Sequence, residues 1–313
     1  MKQHTITGYQ VITAGSTYLD IDAYACSVAM KELLELKGGC AVAYSKASYN
    51  YSVCDFLVEE GQMVKYLSSE LSEEELTYII VDVSDPDYIK DSVPLDRVVE
   101  VYDHHVGFEG YWNSRIGDKS HIEFIGAAAT LIYREWKMAG LQDKMTRSTA
   151  LLLIAAILDN TLNLTSANTT AEDIEVFQAL CRRENIGEEW CARYFAEVQV
   201  NVEADLRNAL FNDLKRIQDN SVLPPRFAQL CVWDAQHILK RLPEIRQWFS
   251  DKADSWMINV IDMKERYSYF ICDDTYHQKQ LEKVFNIHFE SGTAKLPVSY
   301  LRKEIIKKAH FDK

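Results

Sequence analysis

Asp103, His104 and His105 follow one another directly after an apolar, β-favouring run, Val98-Val99-Glu100-Val101-Tyr102. A hard oxygen donor and two borderline nitrogens therefore stand where a strand leaves its sheet, the usual place for a site in an open α/β fold. Side chains alternate in direction along a strand, so the two histidines need not share a task. One can bind a metal while the next faces a substrate, and Asp103 can hold an imidazole in one tautomer. Taken alone, the triplet is equally a surface loop that carries two histidines. Three further places repeat the pattern of an apolar element followed by an acid: Asp20 and Asp22, Asp82, and Asp159. Helix capping accounts for one of Asp20 and Asp22. Two acids two residues apart, shortly after Gly15, fit a divalent cation better. The whole set predicts two adjacent metal positions with shared carboxylates. Oxygen-rich ligands with imidazole favour Mn²⁺ or Mg²⁺ over structural Zn²⁺. Two such ions suit in-line attack of water on a phosphoryl group.

The elements that must position these residues follow from apolar spacing. Strands are expected over 9–14, 40–44, 76–81 and 98–102, and helices over 23–36, 49–60 and 148–158. Residues 68–75 read as an acidic loop and solvated helix, and Pro86-Asp87 as a turn. The stretch 123–138 reads as a helix in which Gly126, Ala127, Ala128 and Ala129 permit close packing and leave a helix N-terminus that suits an anion. Residues 168–173 begin another helix with a capping-type signature. After a linker and helix over 198–210, strands are expected over 227–233, 254–261 and 267–272. The fold class is α/β: a mostly parallel, doubly wound sheet with helices on both faces in the N-terminal domain, and a smaller α/β C-terminal domain with a mixed sheet. Boundaries fall at 1–190, 191–210 as linker and 211–313, with the site expected in the cleft between the domains.

The 313 residues carry a net charge of −13, which argues against a partner recognised through its phosphate backbone, such as nucleic acid, but leaves room for a local basic pocket. No window has the uninterrupted apolar length of a membrane span, and the N-terminus lacks the apolar segment of a signal peptide. The seven cysteines contain no CxxC pair, and Cys26, Cys40 and Cys231 lie in apolar runs. They read as reduced, partly buried thiols of a cytoplasmic protein.

These motifs, in this order, resemble the DHH phosphoesterase superfamily. Asp103-His104-His105 matches its signature, and Asp20-Ile21-Asp22, Gly126-Ala127-Ala128-Ala129-Thr130-Leu131 and Ile157-Leu158-Asp159-Asn160-Thr161 are similar to its other motifs. The resemblance covers roughly residues 9–185. The C-terminal Gly-Gly-Gly-His signature of the nuclease and phosphodiesterase branch is missing. Leu296-Pro297-Val298-Ser299-Tyr300-Leu301-Arg302-Lys303 is instead similar to the C-terminal motif of manganese-dependent pyrophosphatases, exopolyphosphatases and prune-type proteins. The resemblance implies that Asp20, Asp22, Asp82, His104 and the Asp159 region hold two Mn²⁺ or Mg²⁺ ions. It implies that His105 contacts a phosphate oxygen, that Asp103 orients a histidine, and that Arg302 and Lys303, with Lys215 a weaker third, bind substrate phosphate. Read without it, Arg302 and Lys303 belong to a basic surface helix. Closure of the second domain over the site, and a homodimer through the N-terminal sheet, are further implications.

Two positions depart from the family pattern. Ser16 stands where pyrophosphatases of this kind place a histidine ligand, and Asn160 where the last aspartate ligand is usual. The expected activity is metal-dependent hydrolysis of pyrophosphate or short polyphosphate by two-metal activation of water. The alternatives are a phosphodiesterase of small nucleotides and a weakly active or non-catalytic regulatory member that binds a phosphorylated ligand.

Overall fold

A computed structural model of the chain describes residues 8–15, 19–68, 76–218, 222–250 and 254–311. Ser16, and most of the acidic run at 68–75, lie outside the described residues. The chain divides into two compact units, Met1–Cys191 and Ala192–Lys313.

The first unit contains β1 (Tyr9–Thr13), α1 (Ile21–Leu36), β2 (Cys40–Ala43), β3 (Leu76–Val81), α2 (Pro86–Ile89), β4 (Val98–Asp103), α3 (Glu109–Ile116), β5 (Ser120–Ile122), α4 (Ala128–Ala139), α5 (Arg147–Asn160) and α6 (Ala171–Glu184). Its five strands are all parallel, in the order β2-β1-β3-β4-β5. Alternation along the strands divides their side chains between two faces. Val11, Tyr78, Ile80 and Val101 pack with Ile89 of α2 and Trp112 of α3. Ile12, Ile79 and Val81, buried with 0% exposure, point the other way. Burial of both faces explains why these strands read as near-continuous apolar runs. Strand order reverses between β1 and β3, so the site-bearing strand ends leave the sheet at its switch point.

The division falls within α7 (Glu188–Ala204), most of which belongs to the second unit. That unit also contains α8 (Leu206–Asn212), β6 (Lys215–Arg216), β7 (Arg226–Val232), α9 (Ala235–Leu239), α10 (Leu242–Ser250), β8 (Trp256–Asp262), β9 (Tyr267–Cys272), α11 (Thr275–Phe285), β10 (Thr293–Leu296) and α12 (Arg302–Phe311). Its sheet, in the order β10-β9-β8-β7-β6, is mixed: β7 and β8 are parallel and the other pairs antiparallel. Phe227, Met257, Phe270, Leu281, Phe285 and Ile305 form its core.

Three expectations need correction. Residues 49–60 are not an α-helix and hold only one short helical turn at Asp55–Leu57. Asn50 Oδ1 accepts from the Ser52 N–H at 2.8 Å, a local bond that competes with helix formation. The helix expected over 123–138 starts at Ala128, because the preceding N–H groups of Glu123 and Gly126 donate to the Asp103 carbonyl and the Asp173 carboxylate. All seven cysteines are free, but Cys40, at the start of β2, is exposed rather than buried. Among the described residues no helix is long and apolar enough to cross a membrane.

Candidate metal centre

Asp20 caps α1, its Oδ1 accepting from the Ala23 N–H at 3.0 Å. Asp22 lies one residue into that helix and is fully buried. Both of its oxygens face the start of α4: Oδ2 accepts from Ala128 N–H and Oδ1 from Ala129 N–H, each at 2.8 Å. The anion that the α4 N-terminus suits is therefore Asp22 itself. The Cys26 thiol, one turn along α1, also donates to Asp22 Oδ1.

Asp82 follows β3 with a left-handed backbone, φ 57°. That turn is held by its own N–H, which donates to the Tyr102 carbonyl of β4. One further bond locks the β3 and β4 exits together, and another ties α3 to the β3 exit. Ser84 Oγ donates to the His105 carbonyl, and Trp112 Nε1 donates to the Ser84 carbonyl at 2.7 Å. Neither Ser84 nor Trp112 carries a sequence signal for this task.

The two histidines have different surroundings. His104 Nδ1 lies 3.3 Å from the Ile125 carbonyl, which can only accept. The ring proton is therefore on Nδ1 and the Nε2 lone pair is free. That Nε2 lies 3.4 Å from Asp82 Oδ1 and 4.0 Å from Asp22 Oδ2. Both Nε2 and Asp82 Oδ1 are buried with no hydrogen-bond partner among the described residues. Two buried lone-pair acceptors facing each other at this distance are unfavourable unless a cation lies between them. The residues present fit a divalent cation on this ground. Asp82, His104 and His105 bring one ligand atom each to within 4.8 Å of one another. His105 is exposed over 66% of its side chain, and its Nδ1 bonds Asp103 Oδ1 at 2.8 Å. Asp103, fully buried, also accepts the His105 N–H and so fixes that ring from behind.

Charge repulsion supports the same conclusion. Burial raises the Asp22 carboxyl well above the ordinary carboxylate value, and the charges of Asp82 and Asp20 raise it further. Asp82 is raised likewise, by burial first and then by the Asp20 carboxylate beside it. Asp22 and Asp82, raised in this way, keep protons unless a metal takes their place. Burial opposes charging of His105, yet the bond to Asp103 and the Asp82 charge outweigh it and hold its pKa above the usual histidine value.

No protein-family model matches the chain. A protein of Exiguobacterium sp. named "probable manganese-dependent inorganic pyrophosphatase" is 23% identical over 311 residues, covering 95% of this chain and 96% of its own. One of the same name from Bacillus licheniformis is 24% identical, with 95% and 96% covered. Among solved structures, a candidate family II inorganic pyrophosphatase of Methanococcus jannaschii superposes with a TM-score of 0.66 at 18% identity, over 96% of this chain and 98% of that one. An exopolyphosphatase-related protein of Bacteroides fragilis gives 0.53 at 12% identity, over 97% and 91%. The chain is thus similar along its length to proteins named as probable manganese-dependent inorganic pyrophosphatases.

The remaining residues singled out in the sequence fall elsewhere in the two units. Asp159 and Asn160 are the last two residues of α5, half-buried, and Asp159 is not in the group that Asp82 forms with the two histidines. The chain then makes a left-handed turn, with φ of 50°, 57° and 62° at Leu162, Asn163 and Leu164. Side chains with a Cβ resist this conformation. Bonds from Thr165 and Ser166 N–H to the Thr161 carbonyl, and from Leu164 N–H to Thr161 Oγ1, hold it.

In the second unit Arg302 opens α12, but its side chain is only 13% exposed. Its guanidinium grips Asp213 with both ends, Nη2 to Oδ1 at 3.0 Å and Nη1 to Oδ2 at 2.5 Å. The first residue of this pair is thus not part of a plain basic surface helix. Lys303 beside it is exposed, and desolvation by its surroundings holds its ammonium below the ordinary lysine value. Lys215 is lowered in the same way, by desolvation and by the nearby Arg302 charge.

Proposed function

We propose that the protein is a manganese-dependent phosphohydrolase that releases phosphate from inorganic pyrophosphate or short polyphosphate. The observation that carries this reading is the pair of buried acceptors, His104 Nε2 and Asp82 Oδ1, unpartnered among the described residues and turned towards each other at the sheet's switch point. The names and full-length coverage of the relatives give the metal and the substrate class. Asp20, Asp22, Asp82 and His104 are assigned to holding the cation or cations, with the Asp159–Asn160 end of α5 as a further ligand. A divalent cation held there supplies Lewis acidity to a phosphoryl oxygen and to water.

The chain's own part is positioning and charge. His105 keeps its Nδ1 proton on Asp103 and presents the other edge of an exposed ring, which suits donation to a phosphate oxygen. Lys215, Arg302 and Lys303 are assigned to the substrate phosphates. Asp213 holds the Arg302 fork in one orientation, so Lys303 and Lys215 are the more available cations.

The test is phosphate release from pyrophosphate, tripolyphosphate and long polyphosphate after chelation, with Mn²⁺, Mg²⁺ or Co²⁺ restored and a dinucleotide as control. Fast Mn²⁺-dependent release from an inorganic substrate is expected. Cleavage of the dinucleotide alone would transfer the protein to the phosphodiesterase class. Silence on every substrate, with Mn²⁺ shown to bind by calorimetry, would leave a binding role.

A further inference from the structure

We propose that Asp173 is a positioning residue for the metal centre, acting on His104 through a single peptide group. The inference rests on the reading of His104 as a metal ligand. Asp173 lies on α6 and is fully buried. Its side chain completes a capping box with Thr170, a sufficient reason for an acid at that position. The capping box does not explain its other bonds. Asp173 Oδ2 accepts from the Gly126 N–H at 2.9 Å, and Oδ1 accepts from Thr130 Oγ1 at 2.6 Å. The N–H and hydroxyl of Thr170 complete the shell, each at 2.7 Å. Every donor in it is neutral.

The Gly126 N–H belongs to the same peptide unit as the Ile125 carbonyl. That carbonyl is the acceptor facing His104 Nδ1 at 3.3 Å. Among the described residues no peptide bond is cis. The N–H and C=O of this unit therefore point in opposite directions, one to the carboxylate and one to the imidazole. The path runs from the Asp173 carboxylate to the Gly126 N–H, across the peptide to the Ile125 C=O, and on to the Nδ1–H of His104. A buried anion at one end polarises the peptide and makes its carbonyl a stronger acceptor. A stronger acceptor at Nδ1 fixes the tautomer and raises the basicity of Nε2. This is the effect that a carboxylate has when it touches a metal-binding histidine directly.

Packing preserves the path. A Cβ on Gly126 would come within 2.6 Å of both Asp173 Oδ2 and Thr161 Cγ2, so only glycine lets the carboxylate reach this N–H. Asp173 is thus matched to the peptide by geometry as well as by charge.

The test compares Mn²⁺ affinity by calorimetry in the full chain and in two variants. Asp173→Asn keeps the shape and removes the charge; Thr130→Val removes one neutral bond and keeps the charge. Asp173→Asn is expected to bind Mn²⁺ about 10- to 100-fold more weakly. Thr130→Val is expected to unfold at a lower temperature, with Mn²⁺ affinity within about twofold of the parent. Parent-like affinity in Asp173→Asn, or an equal loss in both variants, would reduce Asp173 to a structural cap. A second measurement needs no substitution: ¹⁵N shifts of the histidines in the metal-free parent. His104 is expected to show a protonated Nδ1 and a bare Nε2, and the opposite tautomer would overturn the inference. A parent chain that fails to bind Mn²⁺ at all would sink the metal-centre reading, and this inference with it.

Discussion

His104 and Asp82 each present one buried atom with no partner among the described residues, the two atoms 3.4 Å apart. A charged carboxylate and a neutral imidazole nitrogen cannot satisfy each other without a proton or a metal between them. Asp82→Asn keeps a residue that tolerates the left-handed backbone and removes the charge. It should weaken Mn²⁺ binding by about 100-fold and abolish metal-dependent turnover with the fold intact. Unchanged activity, with the fold checked by circular dichroism, would exclude Asp82 from the centre. The raised carboxyls of Asp22 and Asp82 also set a pH dependence. In the metal-free chain they keep protons that the unfolded chain would release, so folding stability falls as pH rises through their folded values. Mn²⁺ must displace those protons, so its affinity rises with pH over the same range. The gain in Tm on adding Mn²⁺ should therefore be larger at about pH 8 than at about pH 5. Thermal scans with chelator and with Mn²⁺ would show this, and a gain independent of pH would contradict it.

Elements place these atoms. Parallel strands β3 and β4 end side by side, and the N-terminus of α4 receives Asp22 from α1. The approach of α4 and α6 depends on Gly126, whose backbone does not need the left-handed region. The constraint there is space, not torsion. Gly126→Ala would force a carbon against Asp173 and Thr161. It should cost about 1–3 kcal/mol, read by urea denaturation, and should weaken Mn²⁺ binding as well. A neutral result would mean that α6 moves aside without consequence. The left-handed turn after α5 is the other strained element, and it adjoins Asp159 and Asn160, where the departure from the pyrophosphatase pattern lies. Backbone strain is often stored next to functional residues.

At the scale of the whole molecule the two units contribute different chemistry. The first holds acids and imidazoles, and the second holds the cations assigned to substrate. Arg302 and Lys303 differ in what their loss would do. Arg302→Ala leaves Asp213 without its bidentate partner, so it should lower stability as well as raise KM. Lys303 is exposed, and no ion pair is seen for it among the described residues. Lys303→Ala should leave Tm nearly unchanged while raising KM for pyrophosphate about tenfold. Steady-state kinetics beside thermal scans would separate the two, and an unchanged KM in Lys303→Ala would remove it from phosphate binding.

Period and punctuation in the sequence suffice for much of this molecule. Strands β1, β3, β4, β8 and β9 and helix α5 are legible because apolar runs and turn residues report burial directly. The Asp20, Asp22, Asp82 and Asp103-His104-His105 sets are legible because acids and histidines at strand ends are costly without a use. Other features depend on residues far apart in the chain. Asp22 meets the N–H groups of Ala128 and Ala129, Asp173 meets that of Gly126, and Asp213 meets Arg302. Each pairing also changes a local reading: α4 starts late, an apparent helix cap becomes a buried anion, and a basic helix end becomes a held guanidinium. Residues 49–60 fail for the opposite reason, since a side-chain bond at Asn50 outweighs weak helical spacing. Local pattern determined which residues are buried and which carry charge. Only the tertiary structure decided which charge meets which donor, because a buried polar group takes its partner from whatever segment packing brings within hydrogen-bond reach.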